Sequence, residues 1–283
     1  MSDNEMSDDK IPEDESAPHA NPAATPIPSL DLLRTAANPD LTEDLALALL
    51  KRNDLAPEVL ERLAKNVNAL KSRKVKIALA SHPHMPRHVS VPLARQFYTF
   101  DLMKVALAPS VPADVKVAAD DVLISRLKTV TIGERLTLAR RASGRVAAAL
   151  LLEVEGMDGR TGDGKNADIR MINSETVSRE TRVMRTALEN PRLTEALVIN
   201  SVLRRAASAA LVHAVAQHAK WSPRREIRAA LLRTEYLSLA CALEFSQGIP
   251  APLLRELLAS SRLPSSIKDQ LIRQSGIQES GQP

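Results

Sequence analysis

Leu41-Thr42-Glu43-Asp44-Leu45 and Leu55-Ala56-Pro57-Glu58-Val59 decide how this chain folds. In each, an apolar residue precedes Thr or Ala, an acidic residue or proline follows, and an apolar helical run begins. The same pattern returns as Met85-Pro86-Arg87-His88-Val89, Val111-Pro112-Ala113-Asp114-Val115 and Leu193-Thr194-Glu195-Ala196-Leu197. Three more copies are Trp221-Ser222-Pro223-Arg224-Arg225-Glu226-Ile227, Ile249-Pro250-Ala251-Pro252-Leu253 and Leu263-Pro264-Ser265-Ser266-Ile267. Each reads as a helix start. Thr or Ser can accept from free N–H groups, proline is tolerated in the first turn, and the preceding apolar residue suits a hydrophobic staple.

The starts at 41, 55, 85, 111, 193, 221, 249 and 263 are separated by near multiples of 14 residues. Fourteen residues hold one short helix and a turn, so two make a repeat of about 28, within the range of solenoids. Between starts the apolar residues keep helical spacing, as in Val59, Leu60, Leu63 and Ala64 or Val75, Leu79 and Ala80. No stretch alternates with period two. The expected fold is therefore all-α, an irregular α-solenoid of roughly 14 to 16 short helices with no sheet. Composition agrees: 44% of the residues are hydrophobic but only 2% are aromatic, which disfavours sandwiches, barrels and propellers.

Asn-Pro-Asp-Leu-Thr at 38–42 and Asn-Pro-Arg-Leu-Thr at 190–194 open helices of Ala and Leu, and with the repeated starts they resemble bacterial HEAT-like α-helical repeat proteins. The resemblance spans about 29–273. It implies a curved stack of helix pairs used as a binding surface and brings no catalytic residue onto this chain. HEAT-like DNA glycosylases are similar in architecture alone.

The rest of the organisation follows from composition. Residues 1–28 hold seven acidic residues, one lysine and five prolines, and read as a disordered tail. Without them the remaining 255 residues carry 37 Lys+Arg against 27 Asp+Glu, a charge of +10 rather than the +4 of the whole chain. Residues 155–173 hold Gly156, Gly159, Gly162 and Gly164 and read as a flexible insertion between repeat halves at 29–154 and 174–273. Residues 274–283 read as a second disordered tail. The first thirty residues lack a hydrophobic stretch and the longest apolar run is Val146–Leu152, so neither a secretory signal nor a membrane span is expected, and the expected location is the cytoplasm.

Candidate chemistry is sparse. Gly159-Arg160-Thr161-Gly162-Asp163-Gly164-Lys165 satisfies the spacing of a phosphate-binding loop, but Asn166 stands where magnesium needs Ser or Thr, and the preceding segment is helical rather than a strand. His82, His84 and His88 are the only local histidine cluster, with no nearby Asp, Glu or Cys to complete a zinc site, and read as a solvated helix start. His213 and His218 lie five apart on one expected helix. Cys241, the single cysteine, sits in an apolar run with no adjacent base. Phe97 and Phe100 are expected to plug the core, and Trp221 to act as a staple. The sequence points to no enzyme, no cofactor and no metal.

Basic clusters remain. Lys71, Arg73, Lys74, Arg140, Arg141, Arg204, Arg205, Arg224, Arg225 and Arg228 are the candidate contacts for an anionic partner. Six aromatic side chains provide almost no stacking platform for bases. The expected function is non-catalytic protein binding or scaffolding. A nucleic-acid-binding module touching phosphates through a basic face is the alternative.

Overall fold

The structure, a computed structural model, describes residues 30–152 and 179–274. The expectations for residues 1–28 and 155–173, including the glycine loop, lie outside it, as does the tail 274–283 apart from Gln274.

The described residues are all-helical, with 16 α-helices and no strand. In the first half these are α1 (Leu30–Ala37), α2 (Glu43–Leu50), α3 (Pro57–Ala64), α4 (Arg73–Ala80), α5 (Arg87–Arg95), α6 (Thr99–Leu107), α7 (Ala113–Arg126), α8 (Ile132–Arg141) and α9 (Gly144–Leu152). A short 3-10 helix, Ala69–Lys71, precedes α4. The second half contains α10 (179–188), α11 (Glu195–Leu203), α12 (Ala209–Ala216), α13 (Arg225–Leu231), α14 (Leu239–Ser246), α15 (Ala251–Ala259) and α16 (Ser265–Gln274).

The helix starts explain themselves. Thr42, Ser72, Thr131, Ser208 and Ser238 each accept a hydrogen bond from the third N–H of the helix that follows. Glu134 completes a capping box with Thr131. Pro57 opens α3, and Pro86, Pro112 and Pro250 stand immediately before their helices. One expected start moves: α13 begins at Arg225 with Arg224 as its cap, because the turn is held back by the Ser222 N–H on the His218 carbonyl and the Arg224 N–H on the Trp221 carbonyl. The apolar residue ahead of each start is buried in Leu41, Leu55, Met85, Val111, Leu193, Trp221 and Leu263, as a staple requires.

Sequential helices pack as α4 on α5, α6 on α7 and α8 on α9, and a second set of contacts runs to the next-but-one neighbour. Helix α1 lies on α3, α2 on α4, α4 on α6, α5 on α7, α7 on α9, α9 on α11, α11 on α13 and α14 on α16, which is a solenoid-like arrangement. Helix lengths of 7 to 14 residues and unlike seams show no regular HEAT-like unit.

Besides the apolar core that runs from Ala36 to Leu271, a polar rung ties one layer to the next. A helix leaves its last carbonyls without partners, and a buried carbonyl must find one. Here the turn one layer later supplies it. Asn66 Nδ2 donates to the Ala36 and Asn38 carbonyls (3.1 and 2.8 Å), His82 Nε2 to Arg52 (2.8 Å), and Arg126 Nη1 to Phe97 (2.6 Å). Asn190 Nδ2 donates to Ala139 and Ala142 (2.8 and 3.2 Å), Trp221 Nε1 to Leu188 (2.9 Å), and Ser261 Oγ to Leu232 (2.6 Å). Apart from Asn190, whose partners lie 48 and 51 residues back across the 153–178 segment, the reach is 28 to 33 residues. Many of these residues also fold their own turn. Asn66, His82, Asn190 and Ser261 each accept from the N–H two residues on, as Asn38 and His218 do.

At the junction of the halves, Gly144 is the position where a close approach requires glycine. A Cβ there would fall well inside van der Waals distance of the Arg192 carbonyl oxygen.

Candidate protein-binding surface

The first turns of α2, α4 and α6 are tied to one another through side chains, and Glu134 in the first turn of α8 hydrogen-bonds Thr99 at the start of α6. Lys74 Nζ in α4 is 3.1 Å from Glu43 Oε1 in α2. Arg73 makes a fork to Asp101 of α6, with Nε on Oδ2 at 2.6 Å and Nη2 on Oδ1 at 2.9 Å. Asp101 is 1% exposed while the Arg73 side chain remains 61% exposed, so the carboxylate is the anchor and the guanidinium the surface it presents. Its hydrogen bond to Asp101 holds the Arg73 guanidinium above its already high ordinary value.

That guanidinium lies 5.1 Å from the centroid of the Tyr98 ring. Tyr98 is 71% exposed, and Leu45 (46%) in the first turn of α2, Phe100 (37%) in the first turn of α6 and Ile132 (37%) at the start of α8 are exposed as well. A cation–π contact backed by a two-point ion pair fixes the ring's neighbour in place, which lowers the ordering cost of a partner docking there. Carboxylates on this surface are also engaged. Hydrogen bonds from Lys74 and Ser72 lower Glu43, and hydrogen bonds from the Thr131 N–H and hydroxyl lower Glu134.

The ten basic candidates fall into two groups. Arg73, Lys74, Arg224 and Arg228 are engaged within the chain. Arg224 pairs with Glu195 and lies 5.0 Å from the Trp221 ring centroid; Arg228 donates to the Ser222 carbonyl (2.8 Å), approaches Glu244 at 3.9 Å and lies 5.2 Å from the Phe245 ring centroid. Lys71, Arg140, Arg141, Arg204, Arg205 and Arg225 are exposed and form no side-chain pair among the described residues. Arg140 and Arg141 sit in the last turn of α8, where a cation complements the helix dipole.

Several sequence expectations are corrected. Phe97 is buried, but Phe100 projects to solvent from the first turn of α6 instead of plugging the core. His82 is 2% exposed rather than solvated: its Nε2 donates to Arg52 and its Nδ1 accepts from the His84 N–H, which fixes the neutral tautomer, and burial pushes its imidazole below the ordinary value. His213 lies on α12 and His218 in the turn beyond it, so they do not share a helix. Trp221 is buried at a staple position and also donates a seam hydrogen bond.

No family model, curated protein or solved structure matches the chain. Among the described residues no helix is long and apolar enough to cross a membrane, and no three His, Cys, Asp or Glu side chains are placed to hold a metal ion.

Reading the sequence missed Asp101 and Tyr98. The signal was available: Asp101 follows Arg73 by 28 residues, one repeat step.

Proposed function

We propose that this chain is a cytoplasmic, non-catalytic protein-binding or scaffolding module, and that the first turns of α2, α4, α6 and α8 are its contact surface. The observation that carries the reading is the Asp101–Arg73–Tyr98 relay: a buried carboxylate, a forked ion pair and an exposed aromatic ring, at helix starts that also expose Leu45, Phe100 and Ile132. Tyrosine and arginine are enriched among the residues that dominate protein interfaces, and a rigid anchor costs little entropy on docking. A phosphate-contacting face needs unpaired cations, and on this surface Arg73 and Lys74 already face Asp101 and Glu43.

A photo-crosslinking amino acid at position 100 tests this in the full chain. The expected result is a discrete protein adduct that survives nuclease treatment and disappears in Tyr98→Ala, whose exposed side chain leaves the fold intact. Adducts made only to nucleic acid, or protein adducts indifferent to Tyr98→Ala, would overturn it.

A further inference from the structure

Arg205, Arg233 and Arg262 follow the ends of α11, α13 and α15 at intervals of 28 and 29 residues, one repeat step each. With Leu203 and Ser260 they line a single open cleft of about 310 Å³. We propose that this cleft is a binding site for a phosphate group.

The cleft is built on the buried framework. Ser261, below it, donates to the Leu232 carbonyl and accepts from the Leu263 N–H at 3.0 Å, and the Arg262 N–H donates to the Arg233 carbonyl at 3.1 Å. Arg262 Nη2 reaches 59 residues back to the Leu203 carbonyl at 3.4 Å, so one arginine spans the cleft from its outer to its inner layer. The positions of the three side-chain stems are thus set by the stack itself.

The charge is left without a counter-charge. No acidic residue lines the cleft, and among the described residues the side chains of Arg205 and Arg233 make no ion pair or hydrogen bond. Ser260 directs its hydroxyl to the Leu257 carbonyl at 3.1 Å, so the donors available to a ligand are guanidinium N–H groups. Arginine near a helix end offsets the helix dipole, but that role is filled singly and asks for no convergence of three layers. Three guanidinium forks match the tetrahedral oxygens of a phosphate group better than the planar pair of a carboxylate, and the roughly −1.5 to −2 charge of a monoester better than the single charge of a backbone phosphodiester. The volume lies at the lower end of ligand clefts, suited to a phosphate or pyrophosphate with a small attached group.

The phosphate has two possible sources, a free phosphorylated small molecule or the backbone of a single-stranded nucleic acid. Calorimetric titration of the full chain with pyrophosphate at low salt reads the site directly, and the expected result is saturable binding with Kd below about 1 mM. Arg233→Gln should weaken it about tenfold, the weight of one charged hydrogen bond. Arg233→Lys, which keeps the charge and loses the fork, should fall between. The triple variant Arg205→Gln, Arg233→Gln, Arg262→Gln should abolish binding, with unchanged circular dichroism because all three side chains are exposed. A triple variant at Arg140, Arg141 and Arg225, which removes the same charge elsewhere, should bind as the parent does. Competition against a labelled oligothymidylate separates the sources: displacement by pyrophosphate assigns the site to backbone phosphates, and pyrophosphate binding without displacement assigns it to a free phosphorylated ligand. No saturable pyrophosphate binding, or equal loss in the two triple variants, would overturn the site.

Discussion

The turns that begin α4 and α6 and the turns that end α11, α13 and α15 both hold arginine in solvent, and they are wired in opposite ways. In the first, Arg73 is held by a buried carboxylate and covers an aromatic ring. In the second, Arg205 and Arg233 line a cleft that holds no acid among the described residues of its lining. The difference teaches that the formal charge of a stretch says little about its partner. An arginine whose charge is matched inside the chain becomes shape and stiffness, and one left unmatched becomes a demand for an anion.

The comparison can be broken at its hinge. The two regions belong to one body because α8 and α9 meet the 190–193 turn, and Gly144→Ala forces a Cβ into the Arg192 carbonyl. This is the largest expected effect: thermal unfolding should drop sharply and split into two steps, read by calorimetry. Asn190→Ala should act the same way and cost about 2 to 3 kcal/mol, since it removes a buried side chain that donates to two carbonyls and accepts from the Arg192 N–H.

Next comes the contrast itself. Arg73→Ala leaves Asp101 buried without its counter-charge and should lower the melting temperature by several degrees, whereas Arg233→Ala should leave it within error. Equal effects would erase the distinction between matched and unmatched arginines.

A smaller effect sharpens the account of buried acids. Asp120 is 5% exposed, and among the described residues its Oδ1 has no hydrogen-bond partner, unlike the carboxylate of Asp101. Burial pushes its carboxyl up, and the Ser143 hydrogen bond only partly opposes this. The folded state then binds this proton more tightly than the unfolded state does, so stability falls as pH rises above the ordinary carboxyl range. Asp120→Asn should therefore stabilise by about 1 kcal/mol at neutral pH, and the gain should vanish below about pH 4 in melts run at both values.

The smallest expected effect concerns His82. Its folded value is lowered, so the stability it confers is present above the ordinary imidazole value and is lost as pH falls from about 6.5 through the folded value. His82→Asn, which copies Asn66 and Asn190 at the same kind of turn, should retain the fold and remove that acid sensitivity in denaturant titrations. His82→Ala should lose both hydrogen bonds and melt earlier.

The helices were legible because their starts are local. An apolar residue, a cap and a proline or acid occupy five consecutive positions, and α2, α3, α5, α7, α11, α15 and α16 open where those positions say. Starts capped by Ser72, Ser208 and Ser238 escaped notice because neither proline nor acid follows the serine. Trp221-Ser222-Pro223 misled by two residues because the turn from His218 continues through it. The surfaces were less legible. Arg73 stood out as a charge, but its meaning depends on Asp101 and Tyr98, which the fold delivers from the next layer. Arg205 stood out as half of an Arg-Arg pair, whereas its companions Arg233 and Arg262 are neighbours only once three layers stack. His82 looked like surface because two other histidines and a proline surround it, and only the carbonyl of Arg52 reveals it as interior.

The seam at Asn190 and Gly144 also bears on covalent continuity. Ala139, Ala142 and Gly144 on one side, with Asn190, Arg192 and Leu197 on the other, meet through hydrogen bonds and close packing, and α9 lies on α11 without drawing on residues 153–178 for any of these contacts. These contacts between described residues join the two halves on their own side chains and backbone. Two fragments divided there and coexpressed should reassemble into one body, and a permuted chain with new termini in that segment should fold to the same stack.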